Sequence, residues 1–231
     1  MILSVHVFII ILYFAFRYYT QKINTYTASM MLPISSTTKY IIMPVVLMIM
    51  FLIQGFSNRQ LLSKKCNVEM IQTALMTSAI IMFFVFGLII GLIEAFPILK
   101  RPFDNTFGYF LCGMDVETLK TIVNKIYIPN VRNDDTNILE SIIRDESLQI
   151  NTVNPNNFQM KMLDLKIPEK NNNIVMKYYN LILRKDLIGS FVLYILAIGL
   201  AVIINQETIN NIQCKKTDED IIKSLDSINL E

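Results

Sequence analysis

Four long stretches of the chain carry almost no polar side chain, and each gives way to charged or turn-forming residues: Met1–Phe16, Tyr40–Phe56, Ala74–Ile93 and Leu187–Ile204. An α-helix rises about 1.5 Å per residue, so roughly 20 residues cross a hydrocarbon core about 30 Å thick. The third run spans unaided and meets no charge until Glu94, while the second and fourth are slightly short but hold no ionised side chain. Tyr18 and Tyr19 lengthen the first with side chains suited to the lipid–water interface. The sequence VVLMIMFLI from Val45 to Ile53 is apolar all round, as is IIMFFVF from Ile80 to Phe86. A helix without a polar face lies in lipid or deep inside a large protein. A chain of 231 residues supplies too small a shell to bury four of them. The pattern predicts a mainly α polytopic membrane protein with four transmembrane helices and a small, mostly helical extramembrane domain between helices three and four.

The expected layout is three transmembrane helices with short loops over 1–99, the extramembrane domain over 100–186, the fourth helix over 187–204 and a polar acidic tail over 205–231. Pro97 and Pro102 stop the third helix. Inside the domain, Asp115 can cap a helix whose apolar positions Val116, Leu119, Ile122, Val123 and Ile126 share one face. Ile138, Leu139, Ile142 and Ile143 repeat the spacing after Asp135 or Thr136. Phe158, Met160 and Met162 alternate with polar residues as in a short strand. Ile174, Val175, Tyr178, Leu181 and Ile182 predict a helix that runs directly into the fourth span. In the tail, Ile221, Ile222, Leu225 and Ile228 fall at helical spacing after Asp218–Glu219–Asp220, but so short a helix is marginal alone in water.

Composition agrees with the membrane reading: 53% of residues are hydrophobic and 17% charged, with a mean hydropathy of +0.44. The net charge of +2 names no electrostatic target. Its distribution says more. Arg17, Lys22, Lys39, Lys100, Arg101, Arg184 and Lys185 fall on one face of a four-span topology, and Arg59, Lys64, Lys65, Lys215 and Lys216 on the other. The positive-inside rule makes the first face cytoplasmic and puts both termini on the lumenal side. The first run lacks a basic start and a small-x-small cleavage site, so it reads as a retained anchor.

Candidate chemistry is sparse. There is no phosphate loop, nucleophile elbow, zinc-protease motif or dinucleotide fingerprint, and His6 is the sole histidine. No enzyme, cofactor, metal, nucleic acid or small-molecule substrate is expected. His6 reads as a side chain that bonds a neighbouring helix or reaches the interface, and Glu94 as one that reaches the headgroup layer near Lys100 or Arg101. Three cysteines make no disulfide framework. Cys66 and Cys214 nonetheless share the lumenal face, so a bridge between them is permitted where that face is oxidising, and three free thiols remain the other reading. Gly87 and Gly91 offer a flat strip on the third span, with Ala197 and Ala201 on the fourth, which fits close packing of these two helices.

The most unusual string follows the third span: Arg101-Pro102-Phe103-Asp104-Asn105-Thr106-Phe107-Gly108-Tyr109-Phe110. Its aromatic residues alternate with polar and turn-forming ones, as in a loop lying along the lipid interface. That loop either anchors the domain to the membrane or forms the base of a partner site. The string, set between a paired-glycine span and a small domain with a final span, resembles the membrane-embedded minor capsid proteins of nucleocytoplasmic large DNA viruses. The Ile-, Asn- and Lys-rich usage is similar to that of AT-rich giant-virus genomes. The resemblance covers about 74–204 and implies a structural protein of the virion's internal membrane, tying that membrane to the capsid. Residues 1–73 and the tail stand outside it. Three function classes stay open: such a structural protein, a non-enzymatic membrane adaptor or assembly factor, and a transporter or channel subunit.

Overall fold

The structure is a computed structural model that describes residues 2–27, 36–66, 70–111, 151–155, 157–158 and 172–214. Four long helices form an antiparallel bundle, each long and apolar enough to cross a membrane. They are α1 (Ile2–Thr27), α2 (Ser36–Cys66), α3 (Ile71–Ala95) and, after the intervening segment, α5 (Asn172–Asn211). A short helix, α4, occupies residues 101–111. No strand occurs among the described residues. The chain is therefore a mainly α, multi-pass membrane protein. The two expected domain helices and residues 159–162 of the expected strand lie outside the described residues, and Phe158 is helical.

Each long helix overshoots its apolar run. α1 continues to Thr27, α2 begins before Pro44 and runs past Asn58 to Cys66, and α5 extends in both directions. α5 is unbroken from Asn172 to Asn211, so the helix containing Ile182 enters the fourth span without a joint, and the first seven residues assigned to the tail are helical. At 1.5 Å per residue its 40 residues make a rod of about 60 Å, about twice the hydrocarbon thickness. It is also the central element, touching α1, α2, α3 and α4.

The core follows helical spacing. α1 turns Ile10, Tyr13 and Phe14 inward, α3 turns Met82, Phe86 and Ile90, and α5 turns Tyr194, Ala197, Ile198 and Ala201. Aromatic rings fill the centre: Tyr13 stacks on Tyr194 with centroids 6.0 Å apart, and Phe14 meets the same ring edge-on at 5.1 Å. Residues 80–86 of α3 form wide π-helical turns, in which the Gly87 N–H reaches back to the Met82 carbonyl. Counted from Ala74, the buried face of α3 passes through Ser78, Met82, Phe86 and Ile90. Gly87 and Gly91 each sit one position round from it. A Cβ at Gly87 would stand 3.8 Å from Leu47 of α2, whereas one at Gly91 would meet nothing within 4 Å. The alanine strip of α5 is thus buried, but the expected glycine strip of α3 is not the surface that meets it.

Close backbone approach occurs elsewhere. A Cβ on Gly189 of α5 would overlap the Asp104 carboxylate and lie 2.6 Å from the Asp104 backbone nitrogen. One on Gly108 of α4 would lie 2.7 Å from the Lys185 carbonyl oxygen. These two glycines let α4 seat directly on the α5 backbone. Gly189→Ala should therefore force α4 outward and cost about 1–3 kcal/mol, the range of core overpacking. Gly91→Ala should be neutral or slightly stabilising, because open space receives the methyl and alanine favours helix. Thermal unfolding of both variants in detergent checks the contrast; equal behaviour would contradict this docking geometry.

Candidate functional site

Polar side chains collect at the two ends of the bundle. At one end lie Cys66 and Cys214, joined by a disulfide with Cα atoms 5.2 Å apart. The neighbouring Lys65 ammonium donates to the carbonyls of Ile209, Asn210 and Ile212 at 3.1, 2.6 and 2.8 Å. Carbonyls in a last helical turn have no partner within the helix, and a cation there also meets the negative end of the dipole. Lys65 and the cystine thus fasten the end of α2 to the end of α5. Cys112 lies outside the described residues.

About two turns deeper, three helices meet through buried amides. Asn58 of α2 donates to Asn205 Oδ1 of α5 at 2.9 Å, and Asn205 donates back to Asn58 Oδ1 at 2.9 Å. Asn58 also donates to Ser78 Oγ of α3 at 3.0 Å and accepts from Gln54 at 3.1 Å. All four residues are buried. Sequence reasoning passed over this set because Asn58 and Asn205 stand just where the apolar runs stop and read as exits from lipid. The available signal was two lone asparagines at the matching C-terminal ends of the second and fourth apolar runs, which run parallel in a four-span topology.

The opposite, basic end is built around α5. Arg17 of α1 lies 3.6 Å from Glu94 of α3, and the Tyr194 hydroxyl donates to the same carboxylate oxygen at 2.9 Å. Glu94 is therefore held from α1 and α5. Lys100 pairs with Asp186, and Ser190 Oγ lies 3.5 Å from the same ammonium. Lys185 donates to Asn105 Oδ1 at 2.9 Å and sits 5.0 Å from the centroid of Tyr109, whose hydroxyl donates to Asn151 at 2.8 Å. Asn154 and Asn157 then hydrogen-bond reciprocally through backbone and side chain. That turn seats Phe158 against Tyr178 and Tyr179. The outlying Arg184 donates to the Tyr18 hydroxyl at 3.3 Å.

The aromatic string is thus helical rather than an open loop. Pro102 opens α4, Asp104 and Gly108 face α5, and Phe103 stacks on Phe107 with centroids 6.1 Å apart. Thr106 is exposed and bonds back to the Pro102 carbonyl. Asp104 is buried, and its Oδ1 accepts no hydrogen bond. Burial, reinforced by the nearby Asp186 carboxylate, raises its pKa to about 7, although Lys100, Lys185 and Arg17 pull the other way. Burial also raises the Tyr109 phenol.

His6 is fully buried against α2 near Met50, with Nδ1 2.9 Å from the Ile2 carbonyl of its own helix. Among the described residues, no group of three or more His, Cys, Asp or Glu side chains is placed to hold a metal ion. What the arrangement does chemically is fasten helices together at both ends. Compared with protein-family models, with curated proteins and with solved structures, the chain has no match.

Asn58→Leu should strand the Asn205 amide in the bundle and lower stability by about 1–2 kcal/mol, with the Asn58→Leu/Asn205→Leu pair recovering part of the loss. Melting temperatures of both singles and the double, with the disulfide intact, measure the coupling; strictly additive losses would exclude it.

Asp104 gives a pH dependence of definite sign. Its folded pKa of about 7 exceeds the ordinary 3.8, so the folded state binds the extra proton and stability falls as pH rises between those values. Asp104→Asn should flatten that part of the profile, read as the difference in melting temperature between pH 5 and pH 8 for wild type and variant. A variant with the wild-type slope would remove Asp104 as its origin.

Proposed function

We propose that this chain is a non-catalytic structural membrane protein of a viral particle, anchoring the internal lipid membrane to the capsid shell through its extramembrane segment. The observation that carries the reading is α5, a single unbroken helix from Asn172 to Asn211. It spans the bilayer and continues out of it beside α4, with Lys100–Asp186 and Lys185–Asn105 clasping the two helices at the point of exit. An anchor needs that property, because force on the protruding part passes into the lipid-embedded bundle without a hinge. The buried polar groups act as helix-to-helix fasteners, which suits a load-bearing role better than a catalytic one. The resemblance of the 101–110 string and its flanking layout to minor capsid proteins supplies the viral setting.

Particles purified through a density gradient and washed at high salt provide the test. A structural component stays at a constant ratio to the shell protein and leaves only when detergent dissolves the membrane. Loss of the chain during maturation would instead make it an assembly factor. Ion or solute flux across liposomes holding the purified chain would point to the transporter class.

A further inference from the structure

The outer side of α4 and the turn before it carry large apolar residues that no described element covers. Phe110 is 82% exposed, Ile98 66%, Leu111 55%, Phe96 54%, Leu99 49% and Phe107 44%. Exposure of this kind needs an occupant, and the position of α4 in the bundle identifies one. Gly189 and Lys185 fix α4 against α5 at the level where the apolar run of α5 begins, about one and a half turns outward from Tyr194. The chain enters α4 directly from α3, whose Phe84, Leu88 and Leu92 are exposed on the lipid-facing side of a span. The uncovered residues of 96–111 therefore continue an existing lipid-facing surface at interfacial depth. α4 is amphipathic in the matching sense: Asp104 and Gly108 are buried, whereas Phe107 and Phe110 are exposed.

We propose that α4 is an interfacial brace: Asp104 and Gly108 bolt it to α5, and its outward aromatic residues lie in the acyl–headgroup boundary of the bilayer. The partner of this surface is lipid. The brace fixes the depth of α5 in the membrane, since sliding that helix along its axis would drag Phe107 and Phe110 into water or into the hydrocarbon centre. This inference rests on the four spans and the docking of α4, and does not depend on a capsid role.

The chain contains no tryptophan, so a single introduced one reports its own surroundings. Phe110→Trp is the probe, Phe107→Trp a second in case the first disturbs folding, and Phe84→Trp in α3 the control within the span. Each full-length variant is reconstituted into phosphatidylcholine vesicles containing lipids brominated either near the headgroup or near the chain ends. Phe110→Trp should be quenched several-fold more by the shallow bromines than by the deep ones, and hardly at all by aqueous iodide; Phe84→Trp should favour the deep bromines. Iodide quenching of Phe110→Trp comparable to that of the unfolded chain would overturn the proposal by placing α4 in water. Stronger quenching by the deep bromines would overturn the interfacial depth. Shielding from both quenchers would put protein over this face instead of lipid, whether from the same chain or a second copy.

Discussion

Apolar side chains gain little by leaving lipid for one another, because the hydrocarbon around a membrane bundle is as apolar as its interior. Association must come from close packing and from polar groups that find partners only when the helices meet. The position of polar partners in this bundle follows from that constraint. Asn58, Ser78 and Asn205 join α2, α3 and α5 toward one end, and Arg17, Glu94 and Tyr194 join α1, α3 and α5 toward the other. The middle is left to Ile10, Met82, Phe86, Ile198 and Ala201, which need only fit.

The same constraint accounts for α4. A short helix carrying Asp104 between aromatic residues has no reason to stay folded in water, and its carboxylate is costly in lipid. Seating Asp104 against Gly189 beside Lys100 and Lys185 gives the acid cationic neighbours and brings two backbones into contact. Lys100 and Asp186 close the arrangement from the α3 side. Each polar residue at this end makes sense only with the helices around it, which is why the group reads poorly as a list of single residues.

The fold was legible because it is written in run lengths. Apolar stretches of membrane-crossing length gave the four spans, and the periodicity of 174–182 gave the entry into α5. Side-chain partners were less legible, since charge invites pairing with near neighbours in sequence. Glu94 invites pairing with Lys100 or Arg101, yet Arg17 of α1, 77 positions away in sequence, lies 3.6 Å from its carboxylate. The paired glycines 87 and 91 have the spacing of a packing motif, but spacing alone does not say which face of a helix turns inward. That face is set by Ser78, Met82, Phe86 and Ile90. Gly108 and Gly189, far apart in sequence and in no motif, are the glycines at which two helices nearly touch. The aromatic string read as a loop because Pro102 and Gly108 break most helices. Pro102 sits in the first turn, where no N–H is needed, and Gly108 faces a neighbour too close for a side chain.

An unjointed rod clamped near its middle behaves as a lever. From Gly189 to Asn172 is about 25 Å at 1.5 Å per residue, so a tilt of about 10° in the membrane displaces the outer tip by about 4 Å. Bilayers of different thickness or curvature impose tilts of that order on spanning helices. The outer end of α5 therefore converts the local shape of the lipid sheet into a position in space.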